Sequence, residues 1–83
     1  MVDKNDWRLQ GQEEMLRNAK FRIETYVAPK ITWDHDHCTF CWVTFSEYEG
    51  DLHKGYRETK DSHWVCEECF RDFKEMFNFT VVE

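Results

Sequence analysis

Four cysteines set the strongest limit on what this chain can become. They fall as two pairs, Cys38-Thr39-Phe40-Cys41 and Cys66-Glu67-Glu68-Cys69, with 24 residues between them. A Cys-x-x-Cys turn brings two thiolates to one ion while its backbone N–H groups hydrogen-bond the sulfurs. Two such turns complete the tetrahedral, four-coordinate sphere that structural Zn²⁺ takes. The interval is long enough to hold a hairpin and short enough for a single site. Two separate redox dithiols are the alternative, but neither pair sits in the βαβ context that a thioredoxin-like motif requires. Cys38, Cys41, Cys66 and Cys69 are therefore expected to hold one Zn²⁺ per chain.

Length makes such a staple useful. At 83 residues the chain is expected to form a single domain over 1–83, with an N-terminal part at 1–30 and a metal module at 31–83. A domain this short buries a modest core and often needs a metal, a disulfide or a partner. The aromatic share of 17% is high, with seven Phe, four Trp and three Tyr. A few large rings fill a small core efficiently, so composition points to a folded chain.

The first six residues are mostly polar and mixed in charge with no apolar run behind them, which does not read as a signal peptide. Apolar stretches of only a few residues, such as Trp42-Val43, leave no membrane span to expect. The thiols are accordingly expected in a reducing compartment, the cytoplasm, where structural disulfides are rare. Formal net charge is −6. Four thiolates subtract four and one Zn²⁺ adds two, giving −8 for the loaded chain. The closest grouping of basic residues, Arg17, Lys20 and Arg22, is not a block. Nucleic-acid binding, which draws on Lys and Arg at phosphates, is disfavoured.

The hydrophobic pattern places these motifs. Gln12 to Ala19 reads as a short helix, with Glu13 and Glu14 at its positive end, Met15, Leu16 and Ala19 on one apolar edge, and Asn18 as terminator. From Phe21 the period changes to two. Phe21, Ile23, Thr25 and Val27 alternate with Arg22, Glu24 and Tyr26 as in a half-buried strand that Pro29 closes. Trp42 to Phe45 is a short strand, and Tyr56–Thr59 with His63–Val65 forms a hairpin about a turn at 60–62. After Cys69 the period is helical: Phe70, Phe73 and Phe77 fall on one face, Met76 widens it, Glu67 and Glu68 occupy the first turn, and Asn78 stops the helix. The Phe stripe reads as core packing rather than as a ligand pocket. The fold class expected is a small α+β zinc-binding domain. Its order of knuckle, β-hairpin and second knuckle at a helix start resembles the treble-clef zinc finger, with an N-terminal helix and strand added. A zinc ribbon would place a strand after the second knuckle.

The histidines leave alternatives open. His35 and His37 flank Asp36 just before Cys38, and an His-x-His pair can chelate a second or catalytic metal or replace a cysteine ligand. The plainer reading is a polar turn whose imidazoles bond locally or face water. Asp34-His35-Asp36-His37 is also similar to the Asp-His element of HNH-type nucleases. In those that carry two Cys-x-x-Cys pairs, the catalytic His lies between the pairs. In this chain only His53 and His63 lie between them, neither in an Asp-His dipeptide, and no catalytic Asn is evident. That departure, with the acidic charge, speaks against a nuclease. No Gly-rich phosphate loop is present, no Ser-His-Asp order is worth proposing, and no catalytic residue is assigned.

Gly11-Gln12-Glu13, then Trp33-Asp34-His35-Asp36-His37-Cys38-x-x-Cys41 and Trp64-Val65-Cys66-x-x-Cys69-Phe70-x-Asp72-Phe73-Lys74, resemble a group of small bacterial zinc proteins over nearly the whole length. The resemblance implies a cytoplasmic bacterial zinc protein and supplies no mechanism. Three functions follow as expectations. The first is a zinc-stabilised interaction module whose partner is a basic protein, such as an immunity or regulatory protein. The second is a metal-dependent enzyme using His35 and His37, and the third a zinc or redox sensor.

Overall fold

The computed structural model describes residues 5–11, 13–28 and 32–82. Gln12, Pro29 and Ile31 lie outside the described residues, so the part expected of Pro29 in closing the strand falls outside them too. Among the described residues the elements in chain order are α1 (Glu13–Leu16), β1 (Lys20–Thr25), β2 (His35–His37), β3 (Thr44–Ser46), β4 (Lys54–Glu58), β5 (Trp64–Val65), α2 (Glu67–Phe77) and β6 (Thr80–Val81). This is a small α+β domain.

α2 carries the core. Cys66 caps its N-terminus with a sulfur that accepts from the Cys69 N–H, and Glu67 and Glu68 sit in the positive first turn. Asn78 ends the helix in the left-handed region at φ 57°, and the Phe79 N–H bonds back to the Lys74 carbonyl. The buried face is Cys69, Phe70, Phe73 and Phe77, the stripe read from the sequence. Fully burying a Phe is worth about 1.5–3 kcal/mol, so these rings are a main stabilising term. Phe40, from the first cysteine turn, stacks on Phe73 at 4.6 Å between centroids. Phe21 meets Phe70 edge-on at 5.3 Å, and Tyr56 stacks on Phe70 at 3.7 Å.

The strands form two sheets. The larger has the order β5-β4-β1-β6, antiparallel except for the parallel β1–β6 pair; the smaller pairs β2 with β3. The expected hairpin is present as β4–β5, with Tyr56 opposite Val65 and Arg57 opposite Trp64. Its turn is held from inside by the nearly buried Glu58, whose carboxylate accepts from the N–H groups of Lys60 and Asp61. Gly55 is the joint between the sheets. A Cβ there would lie 2.5 Å from Phe45 Cε1, so only a glycine lets the β2–β3 hairpin pack this close to β4.

Several expectations change. The N-terminal helix is one turn rather than two, because Asn18 takes φ 63° and its N–H bonds across to the Phe77 carbonyl at 2.7 Å. Met15 is exposed, so the apolar edge reduces to Leu16 and Ala19. In β1 only Phe21 is buried; Ile23 and Val27 are exposed and Tyr26 is buried instead. Period two predicts one buried face, but the aromatic core covers only the Phe21 end. Tyr26 packs against Trp64 at 5.2 Å on the other side of the chain. The segment read as a polar turn, His35 to His37, is a strand. Its inward residue is Asp36, which accepts from the Tyr26 hydroxyl at 2.9 Å and from Trp33 Nε1 at 3.2 Å. A carboxylate in the inward position hides a strand from any hydrophobic pattern. β6 was also unforeseen: Thr80 and Val81 are exposed and found only by their pairing with Lys20 and Phe21.

Candidate metal centre

The first cysteine pair sits in the turn between β2 and β3. The Cys38 N–H bonds the Val43 carbonyl at 2.8 Å and the Trp42 N–H returns to the Cys38 carbonyl at 3.0 Å, which closes the loop tightly. The second pair opens α2, directly after β5. The two are sewn together through Thr39, whose N–H and hydroxyl both donate to the Trp64 carbonyl at 2.9 and 3.0 Å. The ligating atoms of Cys38, Cys41, Cys66 and Cys69 consequently all lie within 4.8 Å of one another. The sequence assignment of these four residues to one cluster matches the arrangement found.

The donor set fits a metal ion. A tetrahedron with bonds of about 2.3 Å has edges of about 3.8 Å, and Cys41 Sγ lies 3.7 Å from Cys66 Sγ. All four cysteines are free, and that separation is far beyond a disulfide bond of about 2.0 Å. Cys38, Cys66 and Cys69 are buried and Cys41 half-buried. Backbone N–H groups face the sulfurs as thiolates require: Phe40 and Cys66 each donate to Cys38 Sγ at 3.4 Å, and Cys69 donates to Cys66 Sγ at 3.4 Å.

The thiols of the cluster are shifted in opposite directions. Hydrogen bonds from the Cys66 and Cys69 side chains hold Cys38 far below the ordinary thiol range. Donating to Cys38 pushes Cys66 up, and Cys69, which donates to the same thiolate and also feels Cys66, goes further up. Four sulfurs at this spacing cannot all ionise without a cation among them. A divalent ion held by these four sulfurs would displace the thiol protons that remain among them.

One cation not foreseen from the sequence supports the cluster. Arg8 is buried, and its Nη1 donates to Cys69 Sγ at 3.5 Å and to Asp72 Oδ2 at 3.0 Å. Its Nε and Nη2 donate to the two oxygens of Asp6 at 2.9 Å, and its Cζ lies 4.6 Å from the centre of the Phe73 ring. The Arg8 hydrogen bonds in turn hold the Asp6 carboxyl down to about 2. Such outer contacts orient a ligand and offset its charge. Arg8 stands in a stretch with no motif, 61 residues from Cys69 in sequence, so spacing carried no signal for it.

The histidines stand apart from the cysteine cluster. His35 and His37 project from the exposed face of β2 with ring centroids 5.0 Å apart. His35 Nδ1 lies 2.9 Å from Asp34 Oδ1, and His53 Nε2 lies 2.8 Å from the Tyr48 carbonyl oxygen. His63 groups with Glu58 and Asp61 within 4.8 Å, but both Glu58 oxygens are already engaged in capping the β4–β5 turn. No helix among the described residues is long and apolar enough to cross a membrane. Compared with protein-family models, curated proteins and solved structures, the chain shows no match.

Proposed function

We propose that this chain is a zinc-stabilised protein-interaction module, treble-clef-like in its order of knuckle, hairpin and knuckle at a helix start, acting in the bacterial cytoplasm as an immunity or regulatory protein. The observation that carries the reading is the convergence of Cys38, Cys41, Cys66 and Cys69 into a largely buried, all-sulfur set of four donors. All-thiolate tetrahedra suit Zn²⁺ among the biological divalent ions. A set of four protein donors leaves no position for an activated water, so the centre is structural and the module binds rather than catalyses. A protein partner is supported by the aromatic surface: Trp7, Trp33, Trp42 and Tyr48 are each more than half exposed.

Elemental analysis of purified protein tests the metal, with one zinc per chain expected. Cys38→Ser and Cys66→Ser should lose it equally, since each removes one corner of the same tetrahedron. An intact fold without metal, or a Cys66→Ser protein that keeps its zinc and its Tm, would refute the assignment. Chemical cross-linking in the native cell, compared between the wild type and Cys38→Ser, tests the binding role; identical cross-links from both would remove it.

A further inference from the structure

The outward side of the β2–β3 hairpin carries one continuous exposed strip. The Trp42 ring lies 6.3 Å from His37, His37 lies 5.0 Å from His35, and His35 Nδ1 is 2.9 Å from Asp34 Oδ1. The other Asp34 oxygen accepts from the Tyr48 hydroxyl at 2.9 Å. Trp42 is 57% exposed and Tyr48 60%. None of these groups is used by the cysteine cluster.

Trp42 is the informative member. Its φ is 69°, the left-handed region that glycine enters freely and a bulky residue enters only against a clash of Cβ with the backbone. The tight first cysteine turn demands that conformation at this position, and the ring placed there gains little burial within the chain. A strained residue that returns little to its own fold directs attention to something outside it.

Charge identifies what that is. Residues 32–52 carry five carboxylates, Asp34, Asp36, Glu47, Glu49 and Asp51, and no Lys or Arg. The hairpin and its flanks thus carry a formal −5, of which Asp36 is turned inward to Tyr26 and Trp33. We infer that the strip from Trp42 to Tyr48 is a docking surface for an arginine-bearing basic polypeptide segment, anchored on the Trp42 indole. Arginine fits better than lysine because its planar guanidinium stacks on indole and imidazole faces while its charge suits the surrounding carboxylates. Exposed Trp and Tyr are also the residues that most often carry binding energy at interfaces. This inference rests on the interaction-module reading and names its surface and partner chemistry.

The test is fluorescence anisotropy of a labelled nona-arginine peptide against zinc-loaded protein at physiological salt. Nona-lysine and nona-glutamate serve as comparisons. Trp42→Gly removes the ring, keeps the charge and suits the backbone. It should retain one zinc per chain and a Tm at or above wild type, yet bind nona-arginine at least ten-fold more weakly. Wild type should prefer nona-arginine to nona-lysine several-fold, and Tyr48→Ala should weaken binding without moving the zinc content. Equal affinity of wild type, Trp42→Gly and Tyr48→Ala overturns the surface while leaving an interaction module elsewhere on the chain. No binding of either cationic peptide by wild type overturns the basic partner altogether, as does a preference for nona-glutamate. If Trp42→Gly loses its fold, the strain argument is overturned and Tyr48→Ala decides the surface.

Discussion

Replacing Arg8 by Met tests whether the N-terminal arm belongs to the metal centre. Met keeps an apolar stem over the Phe73 ring and removes the guanidinium, so donors to Cys69, Asp72 and Asp6 are lost together. Loss of an outer-shell partner costs typically 10–100-fold in metal affinity, about 1.4–2.7 kcal/mol. Two features place Arg8→Met at the lower end. The contact to Cys69 is long at 3.5 Å, and Asp6 and Asp72 keep 17% and 28% of their side-chain surface open to water, where they resolvate. Roughly ten-fold weaker zinc binding is expected by competition against a chromophoric chelator. With metal in excess that lowers stability by about 1.4 kcal/mol, or about 6–11 °C in Tm for a domain of this size. Arg8→Lys should fall between, keeping the charge without the fork. The loaded wild type and variant are melted at several zinc concentrations. If Arg8→Met lowers the loaded Tm by the same amount at every concentration with zinc affinity unchanged, Arg8 is a packing residue and the reasoning fails.

Other consequences can be checked as directly. Gly55→Ala should cost about 1–3 kcal/mol of overpacking, read as a lower urea midpoint, because Phe45 is fully buried and its ring has no room to retreat; an unchanged midpoint would refute that packing. The double substitution His35→Ala and His37→Ala should keep one zinc per chain by elemental analysis, since neither imidazole belongs to the cysteine cluster. Loss of tightly held zinc would make one of them a ligand. Burial, and then donation to Asp36, raises the Tyr26 phenol above its ordinary range. The unfolded chain therefore gives up this proton first, and stability falls as pH rises past about 10. Tyr26→Phe should flatten that alkaline slope in denaturant titrations at successive pH values, and an identical slope would show that another group sets it.

Much of the architecture was legible because it follows from local rules. The β4–β5 hairpin and α2 were readable from period two, a polar turn and a Phe stripe. The stop at Asn78 came from its tolerance of the left-handed region. The cysteine cluster was readable because Cys-x-x-Cys is a turn of fixed reach, so two of them need little besides a connecting hairpin to meet. Elements whose sign was tertiary were not readable. β2 hides an inward carboxylate, and β6 has no buried face and exists through its pairing with β1.

The sequence by itself thus determined the four-cysteine cluster and the core stripe, since a thiol pair at spacing three and a ring at every turn of a helix act within one segment of chain. Only the tertiary structure decided the fate of the other aromatics. All seven Phe are buried, whereas Trp7, Trp33, Trp42 and Tyr48 face outward. Composition counted these as one class, but a small domain has room for few large rings, and geometry around α2 selects which enter. The tertiary structure also decided that Arg8 lies against Cys69 and that an acidic hairpin ends in a strained indole. Long-range contact of this kind has no period and no spacing. It arises when packing closes and brings a charge from one end of the chain to a sulfur at the other.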